Sequence, residues 1–151
     1  MTSRAQPVSD RSAYVLGVMF ASAGAAHFAK PDFFEAVVPR WFPNPALTNQ
    51  VSGAAEIALG VAMVPRRTRR VAAFGLLALL AVVFPANVDM YVKNVKIASG
   101  EDGRLERIEG VEATRRANLI RLPFQFVFGA LVWRHTRKIP SITPSPSEEH
   151  N

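Results

Sequence analysis

Apolar residues in this sequence are concentrated in four blocks, separated by polar segments. The blocks cover residues 13–28, 47–64, 71–92 and 117–133. A helix that spans the hydrocarbon core of a membrane takes about 17–25 residues; the third block meets this easily, and the others lie at the short end. None has the regular polar stripe of a surface helix in a soluble bundle. The pattern therefore predicts an all-α, integral membrane four-helix bundle, with a soluble helical bundle as the alternative.

The segments between the blocks add two expectations. KPDFFEAVVPRWFPNP, after the first block, has Pro31 and Asp32 where a helix can begin. We expect a short interfacial helix here, between helices one and two, with Trp41 as an anchor, or else a cap packed over the end of the bundle. SGEDGRLERIEGVEATRR, before the fourth block, is polar and interrupted by glycine, so we expect an exposed and mobile loop.

Charge predicts the orientation of the chain in a membrane. Lys and Arg number 18 in 151 residues, against 12 for Asp and Glu. The short loop PRRTRR, at residues 65–70, carries four arginines and no acid, so we expect this loop and both termini on the cytoplasmic side of the plasma or inner membrane. The basic start of the first block also fits a secretory signal peptide, whose cleavage would leave an odd number of spans.

These features divide the chain into three parts. We predict a cytoplasmic N-terminal segment at residues 1–12, a transmembrane domain at residues 13–134 and a disordered cytoplasmic tail at residues 135–151. Because topology accounts for the basic balance and no nucleic-acid motif is present, we expect no nucleic-acid partner. The absence of cysteine excludes a disulfide scaffold and a thiol nucleophile, and no cluster of metal ligands is visible. We therefore predict no metal and no intrinsic cofactor.

Polar residues interrupt the apolar blocks at similar depth in the predicted bilayer. They are His27, Glu56, Asn87, Arg121 and Gln125. Ionisable residues inside a membrane are costly, and by default they mark a functional site. We predict that these five residues form one polar pocket in the outer half of the bilayer, with Glu56 and Arg121 as natural ion-pair partners.

A structural interpretation of the same residues stays open. An ion pair between Glu56 and Arg121 would fix the order and register of the helices. His27 would then cap the first helix or face headgroup water, and Asn87 and Asp89 would only end the third helix.

Four motifs, in this order, resemble the DoxX-like family of small four-helix bacterial membrane proteins. They are GAAHFAKPDFF, SGAAEIALG, FPANVDMY and NLIRLPFQFVFGALVW. The matching positions are His27, Phe28, Pro31, Ser52, Gly53, Glu56, Asn87, Arg121, Pro123 and Gln125. The resemblance extends from the first block to the fourth.

The resemblance implies membrane redox work. Relatives include a subunit of a thiosulfate:quinone oxidoreductase, a partner of superoxide dismutase and a thiosulfate sulfurtransferase, and a maturation factor of methylamine dehydrogenase. More distant eukaryotic relatives act as receptor-assembly chaperones. Since this chain has no evident haem or flavin site, any electron carrier would be borrowed, such as a quinone.

Three functions are compatible with the sequence. The first is a quinone-associated or redox-complex membrane subunit, because an apolar pocket with a few polar groups suits a quinone head group. The second is a non-catalytic assembly or adaptor protein, in which residues 33–42 or an outer loop recruit a partner. A small transporter comes third, because the inner halves of the helices are apolar. Expected partners are the lipid bilayer and membrane or secreted redox proteins, and a homo-oligomer stays open.

Overall fold

The computed structural model describes residues 10–137, and four long helices dominate this part of the chain. These helices are α1 (Asp10–Ala29), α3 (Pro45–Met63), α4 (Arg69–Val92) and α5 (Arg115–Trp133). The seven-residue helix α2 (Pro31–Val37) lies between α1 and α3, in the segment for which a short helix is predicted. Short 3-10 turns at Glu112–Thr114 and Arg134–Thr136 flank α5.

Helices α1 and α3 are antiparallel and touch along their backbones. Gly17 faces Gly60, and Gly24 faces Gly53. A methyl group added to Gly24 would lie 2.5 Å from the carbonyl oxygen of Gly53, and one added to Gly17 would lie 2.6 Å from that of Gly60. Glycine is required at these positions because any side chain would separate the two helices.

The start of α1, the loop between α3 and α4 and the end of α5 meet at one end of the molecule, here called the basic end. The Asp10 carboxylate binds the guanidinium groups of Arg66 and Arg69, the latter at 2.8 Å. Arg70 donates a hydrogen bond to the carbonyl oxygen of Thr136 at 2.9 Å. The end of α1, helix α2 and the end of α4 therefore lie at the opposite end.

The all-α prediction is wrong, because a two-stranded antiparallel sheet forms in the segment expected to be a mobile loop. Strand β1 (Lys96–Ser99) pairs with β2 (Leu105–Ile108), with Ser99 opposite Leu105. The turn closes with Gly103 in the left-handed region, at a φ of 80°, where glycine is strongly favoured. The hairpin packs against α2, so this polar segment has a fixed place over one end of the helices.

The prediction of a four-helix membrane bundle is also wrong in its number of spans. Within residues 10–137, two helices are long and apolar enough to cross a membrane, α1 and α4. Polar residues such as Asn49 and Glu56 in α3, and Arg121 in α5, make those helices less apolar. Only 28% and 17% of the spanning windows of α1 and α4 are buried in the structure, so most of their apolar surface faces outward.

The predicted terminal segments lie mostly outside the described residues. Helix α1 begins at Asp10, three positions before the predicted start of the domain. At the other end, His135 and Thr136 are buried against the basic end. Residues 138–151 of the predicted disordered tail lie outside the described residues.

Candidate functional site

A cavity of about 270 Å³ lies between α2, α3 and α4 and contains four of the five predicted site residues. Those four are His27, Glu56, Asn87 and Arg121. The other lining residues are mostly apolar and come from α2 and the segment after it, from α3 and from the second half of α4: Phe33, Phe34, Val37, Val38, Pro39, Trp41, Phe42, Thr48, Asn49, Ser52, Val82, Val83, Pro85 and Ala86. A mostly apolar cavity with a few polar groups is typical of a small-molecule site.

His27 is held in one orientation by Asn49, a buried residue of α3. The amide nitrogen of Asn49 donates to the backbone carbonyl of His27 at 3.1 Å, so its oxygen must face the ring. That oxygen lies 2.8 Å from Nδ1 of His27 and can only accept, so Nδ1 carries a proton. The ring also stacks on Phe34, with 3.8 Å between centroids. In the neutral form of the ring, the lone pair of Nε2 therefore lies on the cavity side.

Glu56 faces this lone pair. Its Oε2 atom lies 3.7 Å from Nε2 of His27, and the two side chains are 18% and 13% exposed. No hydrogen bond from the described residues reaches this buried oxygen. The two groups can share one proton, which is the arrangement needed to give a proton to a bound molecule or to take one from it.

Arg121 does not form the predicted ion pair with Glu56. Both line the cavity, yet among residues 10–137 no ion pair joins them. The guanidinium of Arg121 instead lies 3.4 Å from the sulfur of Met90, and its side chain is exposed. Helix α5 packs mainly against α4, so Arg121 and Glu56 reach the cavity from different helices, α5 and α3.

Gln125 stands behind the cavity and orients Asn87. The amide of Asn87 donates to Oε1 of Gln125 at 2.7 Å, and Gln125 in turn donates to the carbonyl oxygen of Leu80. Leu80 lies in α4, before Pro85. Gln125 thus supports the cavity wall, whereas Asn87 lines it.

The cavity opens sideways, between helices. Four of its lining residues are exposed on the outer surface: Trp41, Val82, Pro85 and Arg121. Val82, on the lateral face of α4, is 69% exposed, and Trp41 is 59% exposed. This opening, here called the lateral mouth, is bordered by apolar surface and by one guanidinium group.

The hairpin and α2 form a cap over the end of the cavity. Arg107, on β2, reaches Asp89 near the end of α4 and the carbonyl oxygen of Val37 at the end of α2, the latter at 3.4 Å. Arg104 binds Asp32 on α2 at 3.1 Å. The Arg107 guanidinium also holds the pKa of Glu109 below its usual range. Asp89 is therefore an anchor for the cap rather than only the end of a helix.

Sequence reasoning missed Asn49, Phe34 and Arg107. Asn49 lies seven residues before Glu56, on the same helix face, which was the available signal. Phe34 and the rest of residues 33–42 were expected at an interface or in a cap, and several of them line the cavity. No pattern in the sequence indicated a role for Arg107, because its partner Asp89 is distant in sequence.

A family model matches most of the chain. The model of domain of unknown function DUF8561 covers residues 16–136. The chain belongs to the DUF8561 family. The DUF8561 match includes every residue that lines the cavity, as well as the hairpin. No curated protein and no solved structure matches the chain. The DUF8561 match does not test the resemblance to DoxX-like proteins, which stays a prediction.

Proposed function

We propose that this protein is a membrane protein that binds a quinone-type head group in the cavity between α2, α3 and α4. The observation that carries the proposal is that a carboxyl group and a guanidinium group line one cavity. Glu56 and Arg121 both line it and are not paired with each other. A bound molecule with two oxygen functions on a flat apolar ring would occupy the space between them.

The chemistry of the two walls suits such a molecule. Arg121 offers guanidinium N–H groups to one carbonyl oxygen. Within residues 10–137 its guanidinium contacts the sulfur of Met90, and a thioether is a weak acceptor. On the other wall, His27 and Glu56 hold a proton for the second oxygen. Phe34 and the aliphatic residues of α4 provide apolar surface for the ring. These contacts describe binding and proton supply, and the electrons would come from a borrowed carrier.

The lateral mouth favours a ligand that reaches the site from lipid. Its rim includes Val82 and Trp41, which lie on the outer apolar surface, while the cap covers the polar end. Quinones with isoprenoid tails partition into membranes. The head group would enter through the mouth and the tail would stay between α4 and the surrounding acyl chains.

Membrane location is supported by α1 and α4, whose spanning windows are mostly exposed. We propose that the chain crosses the membrane more than once, with both termini and the basic end on the cytoplasmic side. The arginines of the loop between α3 and α4 favour this orientation. The cavity then lies in the outer half, toward the cap. The resemblance to DoxX-like proteins agrees with a role as a subunit of a membrane redox complex.

The test is equilibrium binding of decylubiquinone to the full chain in phosphatidylcholine nanodiscs. Glu56→Gln and Arg121→Gln should each weaken binding about tenfold, because each removes one charged contact. Glu112→Gln and Arg116→Gln are matched controls, since both residues are exposed and lie away from the cavity. The controls should bind like the parent chain.

Equal binding by the parent chain and both cavity variants would exclude a quinone site here. Purification of the chain with a protein partner and no cavity ligand would then favour the adaptor function. Thermal unfolding of each variant in the same nanodiscs separates lost contacts from lost structure, because a polar substitution at a cavity wall should leave the transition nearly unchanged.

A further inference from the structure

The basic end carries more positive charge than the structure neutralises. Seven arginines lie there, and Asp10 is the one acidic residue at this end within residues 10–137. The arginines are Arg11, Arg66, Arg67, Arg69, Arg70, Arg134 and Arg137. Such an excess attracts anions and is reduced by salt.

Two of these arginines are engaged in contacts that stabilise the fold. Arg69 is 5% exposed and donates to Asp10 and to the carbonyl oxygens of Met63 and Val64. Arg66 binds the same carboxylate. Together they join the start of α1 to the loop between α3 and α4, so the single carboxylate at this end is fully engaged.

Three other arginines at this end are exposed and form no ion pair with the described residues. Arg67 lies in the loop, and Arg134 and Arg137 follow α5. Among the described residues, no acidic side chain lies within ion-pair distance of any of the three, and none donates a recorded hydrogen bond. Their guanidinium groups can therefore bind an external anion through paired N–H donors.

Apolar side chains are exposed directly beside these guanidinium groups. Val71, on the first turn of α4, is 74% exposed, and Trp133, next to Arg134, is 53% exposed. Phe74 is exposed one turn further along α4 and lies under Arg70, with 5.8 Å between the guanidinium carbon and the ring centroid. Charge and apolar surface thus alternate over one helical turn. This matches a molecule with a phosphate joined to hydrocarbon chains.

We propose that the basic end binds the phosphate head groups of anionic phospholipids. Arg67, Arg134 and Arg137 contact the phosphates, and the acyl chains lie against Val71 and Trp133. A juxtamembrane cluster of several arginines is sufficient for this preference, because each basic residue near an anionic leaflet contributes to binding. The inference rests on the proposed membrane location and is independent of the quinone site.

Native mass spectrometry of the full chain in detergent, titrated with phosphatidylglycerol or phosphatidylcholine, tests this binding. The triple variant Arg67→Gln, Arg134→Gln, Arg137→Gln should lose about tenfold in apparent affinity for phosphatidylglycerol and nothing for phosphatidylcholine. The matched control is Lys30→Gln, Lys96→Gln, Arg116→Gln. It removes three exposed basic side chains at the opposite end and should keep the parent affinity.

Equal loss of affinity in the control would overturn the proposal, because the preference would then reflect net charge alone. So would unchanged affinity in the triple variant. Displacement of phosphatidylglycerol by inorganic phosphate, at constant ionic strength, would assign the arginines to a free anion instead of a lipid. Decylubiquinone binding in phosphatidylcholine nanodiscs, measured on the same variants, should be unaffected, so failure here and failure of the quinone site are distinguishable.

Discussion

Asn49 and His27 are joined by two hydrogen bonds that connect α3 to α1. One runs from the Asn49 amide nitrogen to the His27 carbonyl, and the other from Nδ1 of His27 to the Asn49 oxygen, at 3.1 and 2.8 Å. The pair determines both the position of the imidazole ring and its tautomer. Every chemical property of the His27–Glu56 side of the cavity depends on this orientation.

Asn49→Leu should therefore weaken decylubiquinone binding about tenfold, because the ring can rotate and Nε2 no longer faces Glu56. The change also leaves the His27 carbonyl and Nδ1 without their partner, which costs about 1–3 kcal/mol of stability. Titration in nanodiscs gives the first quantity and chemical unfolding gives the second. Gln50→Leu, at the exposed neighbouring position, should alter neither. Full binding by Asn49→Leu would rule out an orienting role.

The glycine contact between α1 and α3 predicts opposite effects for two similar changes. Gly60→Ala should destabilise the chain by about 1–3 kcal/mol, because the methyl group would lie 2.7 Å from the Gly17 carbonyl oxygen. Gly129→Ala, on α5, meets nothing within 4 Å and should be neutral or stabilising by up to about 1 kcal/mol. Unfolding in detergent compares the two, and similar losses in both would contradict close backbone packing.

Removal of Arg107 should loosen the cap. Its side chain is 7% exposed and its partner Asp89 is 10% exposed, and after Arg107→Met this buried carboxylate keeps its ion pair with Lys93, at 3.0 Å. Loss of one charged hydrogen bond costs about 1.5–3 kcal/mol. Hydrogen exchange at residues 96–108 should accelerate strongly. Arg104→Met, on the same hairpin but with an exposed partner contact, is the control and should change exchange little. Equal protection in Arg107→Met would mean that the hairpin is held by other contacts.

His135 should make stability depend on pH. Burial, and then the charges of Arg69 and Arg134, hold the pKa of this histidine below its ordinary 6.5. The folded chain therefore binds a proton at this ring less readily than the unfolded chain, which takes one up below about pH 6.5. Its contribution is thus present above pH 6.5 and is lost as the pH falls. The melting temperature should drop between pH 7.5 and 5.5, and less so in His135→Gln. An identical drop in the variant would assign the effect to another group.

The chain contains no cysteine, which allows a direct test of orientation. Ser99→Cys places a thiol on the exposed hairpin, and Pro65→Cys places one at the exposed basic end. A maleimide that cannot cross membranes should label the first in intact cells and the second only after lysis. The reverse pattern would invert the proposed topology, and labelling of both in intact cells would contradict membrane crossing.

Much of the cavity could be predicted from depth alone. The sequence groups His27, Glu56 and Asn87 because each is expected at a similar depth in the outer half of the bilayer, and neighbouring helices bring residues of equal depth together. The predicted Glu56–Arg121 pair failed because depth says nothing about rotation about the helix axis or about which helices are neighbours. Helix α5 packs against α4, so Arg121 reaches the cavity from α5 and contacts Met90 on α4.

The hairpin was missed for a different reason. Each strand has only four residues, and Ser99 and Leu105 are separated by a turn whose glycines also suit a loop. The anchoring of Arg107 to Asp89 joins the hairpin to α4, and no local pattern in the sequence encodes that contact. The sequence predicts four spans and not two because the lengths of the apolar blocks do not reflect the polar residues inside α3 and α5.

The lateral mouth has a consequence for the speed of exchange. Its rim of Trp41, Val82 and Pro85 faces the apolar surroundings of α4, and the cap closes the polar end. In the proposed membrane location, a molecule that leaves through this opening would be replaced by an acyl chain and not by water. Its residence time is then governed by the order and viscosity of the bilayer, so stiffening the lipid should slow both arrival and departure while the equilibrium affinity changes little.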